Sequence, residues 1–276
     1  MTQRNTETDD RIEKAAQFFK EEIQSKNPFR SPPGDIAPRS LEDAYAVQER
    51  CVELLTGPQD RIVGYKAAVT TTEFQQLLKL SEPIYGTLLS RGFHRSPASL
   101  SAPDYLGLYV EGEIAVELKE DLSVTEAPFT RDSVEGAVSN VMPAFELCDG
   151  RCAGLSDVIE QYLSDAFSVI GANVACAGVV LGEPVQHWQD IDLAEVRGVF
   201  SVNGKVAGEG IGRDLMGHPF EVVAWLANAL ARRGKSLTAG MVILTGVVVT
   251  PSFSKPGDVV TWTLDQLGEV SLSVAQ

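Results

Sequence analysis

The sequence predicts an α+β protein, with a helical N-terminal subdomain over residues 1–60 and a β-rich body over 61–276. Three observations carry this reading. Apolar residues recur at helical spacing through the first 58 residues, and beyond Gly64 short β-branched runs separated by Gly, Pro and Asp take over. No internal repeat, low-complexity tract or linker divides the chain, and its 276 residues suffice to bury a sizeable core without covalent staples.

In residues 9–26, Ile12, Ala15, Ala16, Phe19 and Ile23 share one helical face, and the proline-rich stretch 27–38 ends that helix. Ser40 opens a second helix, with Asp43 three residues on in a capping-box position, and Gly57-Pro58 stops it. Strands are expected at 109–118, 142–148, 177–181, 196–202, 241–249 and 259–264. Helices are expected at 155–169 and 219–233, the second starting at Pro219 and stopping at Gly234. Gly208, Gly210, Gly212 and Gly217 read as a flexible loop, and 267–270 as a hairpin-like turn.

Lys and Arg number 23 against 38 Asp and Glu, a net charge of −15 that repels phosphate backbones, and no basic run offsets it. Nucleic acid is therefore excluded as a partner. No apolar span approaches the roughly 20 residues of a membrane-crossing helix, and the polar, acidic residues 1–11 do not form a secretory signal. Cys51, Cys148, Cys152 and Cys176 have no CxxC spacing or nearby His to complete a zinc site; they read as inert thiols of a reducing, cytoplasmic compartment. His94, His187 and His218 are scattered, with no paired ligand spacing. Gly234-Lys235-Ser236 lacks the upstream glycine of a phosphate loop and follows a helix instead of preceding one.

The segment 109–118 holds Glu111 and Glu113. Strand alternation puts both on one face and Val110, Ile114, Val116 and Leu118 on the other. Glu146 stands between Phe145 and Leu147 in a second apolar strand, where an uncompensated carboxylate is costly. Three such carboxylates describe a site for a hard cation, Mg²⁺ or Mn²⁺. The residues alone leave a second reading open, in which alternating glutamates line the solvent face of an edge strand.

Several segments, taken in order, resemble the fumarylacetoacetate hydrolase superfamily. They are Gly64-Tyr65-Lys66, Glu82-Pro83-Ile84-Tyr85-Gly86, Val110-Glu111-Gly112-Glu113, Pro143-Ala144-Phe145-Glu146, Leu244-Thr245-Gly246 and Pro256-Gly257-Asp258. The branch most like it holds the 2-oxopent-4-enoate (2-hydroxypenta-2,4-dienoate) hydratases and 4-oxalocrotonate decarboxylases. The resemblance covers about residues 40 to 272 and implies mixed sheets rolled into a barrel-like core.

It also implies Glu111, Glu113 and Glu146 as ligands of Mg²⁺ or Mn²⁺ and Lys66 as the proton-handling residue, its pKa depressed by the neighbouring cation. Thr70 and Gln75 would help hold the substrate, with Ile84 and Val247 at substrate-facing positions. The implied activity is that of a divalent-metal-dependent lyase working on a 2-oxo acid or 2-hydroxydienoate through a metal-bound enolate, nominally a hydratase, in a homo-oligomer. Three positions depart from the hydratase pattern: Ile84 and Ala172 replace aspartates and Val247 replaces a serine. These losses keep a decarboxylase, isomerase or cyclase using the same enolate in view, and also a non-catalytic binding or stabilising relative.

Overall fold

A computed structural model describes residues 6–276; of the polar segment read at 1–11, residues 1–5 lie outside the described residues. The helical spacing at the start becomes α1 (Thr6–Gln24) and α2 (Leu41–Leu55). Ile12, Ala15, Ala16 and Phe19 pack on Ala46, Val47 and Cys51 in a small core that Ala172 also joins. Ser40 caps α2, its Oγ accepting the Asp43 N–H at 3.1 Å. The reciprocal half of a capping box is not made. Asp43 accepts instead from the Arg11 guanidinium and the Arg39 N–H, since a charged donor on α1 outcompetes the cap backbone.

β1 (Ile62–Ala68) leads through α3 (Thr72–Leu78) to β2 (Ile84–Leu89), β3 (Phe93–Arg95) and β4 (Ala98–Ser101). The long strands β5 (Leu108–Leu118) and β6 (Val138–Asp149) flank α4 (Arg131–Glu135), and α5 (Leu155–Gly171) precedes β7 (Cys176–Leu181). The chain continues through β8 (Arg197–Val202), β9 (Lys205–Ile211), α6 (Pro219–Ala231) and β10 (Val242–Val247). It finishes with β11 (Ser252–Phe253), β12 (Val259–Leu264) and β13 (Gly268–Ala275).

Two mixed sheets result. One has eight strands in the order β2-β1-β10-β5-β6-β7-β3 with β11 on β5, and the other has five in the order β4-β13-β12-β8-β9. Among the described residues the larger path has two ends, β2 and β3, that do not pair, so hydrogen bonds do not close it into a barrel. β2 is nonetheless bridged. The Asn173 amide, ahead of β7, accepts the Thr87 N–H at 2.7 Å and donates to the Thr87 carbonyl at 3.0 Å.

Of the glycine run read as a flexible loop, Gly208 and Gly210 lie in the strand β9, and Gly212 and Gly217 lie beyond its end. A Cβ on Gly208 would lie 2.3 Å from Val249, and one on Gly210 2.2 Å from the Val248 carbonyl oxygen. Close approach of that segment, rather than flexibility, requires the glycines.

The sheets meet over one face of β5 and β6. Phe200 sets its ring edge-on to Phe145 at 5.9 Å, and Trp262 lies 6.3 Å from Phe200. A Cβ on Gly112 would come within 2.8 Å of the Trp262 ring, and the Trp262 indole N–H donates to the Glu113 carbonyl at 3.0 Å. With the even-numbered face of β5 sealed this way, strand alternation sends Glu111 and Glu113 to the opposite side.

Candidate metal centre and its cavity

The β5–β6 register sets Glu111 opposite Glu146 and Glu113 opposite Ala144. Directly opposed residues share a face, so all three carboxylates project to the same side of the sheet. β5 lies between β10 and β6, which rules out the solvent-facing edge strand. Glu113 and Glu146 are fully buried and Glu111 is half-buried.

Lys66, on β1, reaches the same spot. Its Nζ stands 2.7 Å from Glu146 Oε1, with only 2% of the lysine side chain and none of the glutamate's exposed. Its stem passes Gly86, where a Cβ would press within 3.0 Å of Lys66 Cε and 2.9 Å of the Asn173 carbonyl oxygen. Glycine is needed there.

The electrostatics follow from burial. Burial, then repulsion from Glu146, pushes the Glu111 carboxyl up to about 8. Burial and the same neighbours hold Glu113 well above the usual carboxylate range, against the pull of the Gly246 N–H, which it accepts at 2.6 Å. Burial alone would lower Lys66, but the contact with Glu146 outweighs it and the ammonium is held well above its ordinary value. This direction belongs to the lysine facing a carboxylate; the depressed value expected beside a bound cation concerns a different neighbour.

Two buried carboxylate oxygens, Glu113 Oε1 and Glu146 Oε2, have no hydrogen-bond partner. Ionised, three carboxylates against one ammonium leave two negative charges in the interior. A divalent cation would cancel that charge. Among the described residues, Glu111, Glu146 and Cys148 each present one donor atom, all within 4.8 Å of one another; Glu113, expected as the third ligand, shares their face but is not in that group. The Cys148 thiol donates to Glu146 Oε1 at 3.1 Å, and burial raises its pKa in the metal-free protein. The carboxylates of this donor set suit a hard cation.

The centre opens on a cavity of about 250 Å³ lined by Lys66, Thr70, Glu111 and Val247, with Phe74, Tyr109 and Tyr162 as aromatic walls. Thr70 rests on Gly246, whose φ of 106° and close approach to the threonine exclude a side chain. Val69, just before it, holds a left-handed φ of 57°, unusual for a β-branched residue. Gln75 braces this bend by donating to the Val69 carbonyl at 2.9 Å. It serves the loop and does not line the cavity. Ile84 does not line it either: it pairs with Ala68 and is fully buried in the core.

The sequence reading missed Cys148, Tyr109 and Tyr162. Cys148 shares a face with Glu146 by the i, i+2 rule that grouped Glu111 with Glu113, so the signal was present. The two tyrosines carry no comparable mark. The lone His218 is a satisfied core residue, accepting the Phe220 N–H at the start of α6.

A buried acidic cluster with one lysine, on the face of the large sheet that turns away from the small one, is an arrangement of the kind metal-dependent enzymes use. Residues 62–275 match the family described as fumarylacetoacetate (FAA) hydrolase, C-terminal, and the chain belongs to that family. It is 32% identical over 240 residues to the 2-hydroxyhexa-2,4-dienoate hydratase of Comamonas testosteroni, covering 86% of this chain and 87% of that one. It is also 32% identical to the 2-oxo-hept-4-ene-1,7-dioate hydratase of Escherichia coli, covering 84% and 86%. The solved 4-oxalocrotonate decarboxylase of Pseudomonas putida G7, complexed with magnesium and adipate, superposes with a TM-score of 0.86. That pair shares 25% identity, over 96% of this chain and 97% of the other.

Proposed function

We propose that the chain is a divalent-metal-dependent lyase acting on a 2-oxo acid or 2-hydroxydienoate, nominally a hydratase, with Mg²⁺ or Mn²⁺ held by Glu111, Glu113 and Glu146. The observation that carries this is the buried carboxylate trio with two unpartnered oxygens, facing a small cavity through Glu111 and Lys66. Two hydratases and a magnesium-bound decarboxylase among its relatives support the same reading. A cation there supplies positive charge to lie against the carboxylate and keto oxygens of a 2-oxo acid.

The protein's own groups do the rest. Among the described residues, Lys66 is the one cationic side chain lining the cavity, placed to hold and return a proton at the substrate carbons through Nζ. The walls formed by Phe74, Tyr109, Tyr162 and Val247 keep bulk water out and suit a hydrocarbon segment. Thr70 lines the entrance and offers a hydroxyl to the substrate carboxylate; Gln75 acts through the Val69 bend.

Decarboxylation is the second reading. Among the described residues, no carboxylate apart from Glu111 and no imidazole lines the cavity to activate water. Incubation with a panel of 2-hydroxydienoates and 2-oxo acids plus Mg²⁺, followed by mass spectrometry, separates the two by gain of water or loss of CO₂. A changed chromatographic position at constant mass would mark an isomerase or cyclase. No turnover of any member would leave a binding or stabilising relative and overturn the enzyme.

The reading carries finer expectations. A rolled, barrel-like sheet is supported by the contact of Lys66 on β1 with Glu146 three strands away, a separation of roughly 14 Å in a flat sheet. A division near residue 60 is supported by the separate small core of α1 and α2. A homo-oligomer working in the cytoplasm completes the picture; light scattering on the purified protein tests the first of these two.

A further inference from the structure

A second cavity, of about 450 Å³, lies where the ends of α1 and α2 meet the body, and it shares no lining residue with the cavity at Lys66. Its most unusual wall is Arg151. This side chain is 6% exposed, forms no side-chain hydrogen bond or ion pair among the described residues, and its Nη1 is buried without a partner there. The Phe29 ring lies 5.3 Å from the guanidinium carbon, and Asp149 and Glu22 offset its burial only in part.

The two acids whose charge acts on Arg151 hold other donors. Asp149 accepts the backbone N–H groups of Leu106, Gly107 and Arg151, and Glu22 is held by Arg30 and Asn27. A buried guanidinium with unmatched donors is costly unless an anion arrives to meet it. Arg151 even holds a left-handed φ of 49° at this position.

We propose that this cavity is a second binding site, for a small organic carboxylate with a hydrocarbon body, anchored by Arg151. The planar fork of the guanidinium matches a carboxylate in two parallel hydrogen bonds. Ile23, Phe29, Val52, Leu55 and Val169 supply the apolar walls for the tail. The site does not depend on the metal centre, so it stands or falls separately from the activity proposed above.

Calorimetric titration of the whole protein with hexanoate in EDTA is the test. One equivalent is expected to bind, with affinity lowered at least about tenfold by Arg151→Met and unchanged by Glu111→Gln. Leu55→Trp, which fills the apolar wall and keeps the arginine, is expected to block hexanoate as well and covers the case of a misfolded Arg151→Met. Absence of binding to the wild-type protein, binding that survives both substitutions, or inorganic phosphate binding as tightly as hexanoate would each overturn the proposal.

Discussion

Replacing Lys66 by Met removes the one ammonium in contact with the carboxylate trio and keeps its volume. Nζ stands 2.7 Å from Glu146 Oε1, and both side chains are almost wholly buried, so water cannot replace the lost partner. Breaking a buried pair in this way costs roughly 3–5 kcal/mol. A second route gives a similar size. The cheapest escape is for one carboxyl of the cluster to take a proton, which costs about 4 kcal/mol at pH 7 and about 1 kcal/mol at pH 5 relative to a carboxylate in water.

The sign follows. A carboxyl held up in the folded state is tolerated below its unfolded range, and its penalty grows as pH rises above that range. Urea denaturation of wild type and Lys66→Met in EDTA at both pH values reads the difference. The variant is expected to lose about 3–5 kcal/mol at pH 7 and about 1 kcal/mol at pH 5, with saturating Mg²⁺ returning part of the loss. A loss under about 1 kcal/mol at pH 7, or one equal at the two pH values, refutes the account of the cluster.

Other substitutions probe the frame around the site. Gly112→Ala drives a Cβ to 2.8 Å from the Trp262 ring, and a loss of about 1–3 kcal/mol with altered tryptophan fluorescence is expected. Asn173→Ala strips both partners from the Thr87 backbone and leaves alanine at a φ of 65°; thermal unfolding should show a loss of about 2–4 kcal/mol. Burial, helped by Arg131, lowers His218 to about 4, so the folded state binds fewer protons than the unfolded one below the ordinary range near 6.5. Stability is therefore lost as pH falls from about 6.5 towards 4, by at most about 3 kcal/mol, and His218→Asn, which caps without titrating, should flatten that profile in urea midpoints.

Much of this architecture was legible in the residues. The run 259–264 became β12 with the same bounds, and the alternation in 109–118 placed Glu111 and Glu113 on one face. What alternation does not carry is the identity of the neighbours on either side. The centrality of β5 depends on β10, more than a hundred residues away, so an edge strand remained a valid reading until the sheet was known. The glycines of β9 read as flexible because their cause, the passing segment at Val248 and Val249, is also remote in sequence. Ile84 drew attention as a departure from a pattern, yet its side chain packs into the core. Arg151 carried no sequence signal; only burial without a partner reveals it.

Crystals grown with Mn²⁺ and measured for anomalous scattering address the metal centre without recourse to activity. The structure predicts one strong peak among the carboxylates of Glu111, Glu113 and Glu146, removed by Glu146→Gln. No peak at that position, or a sole peak elsewhere on the chain, would contradict it.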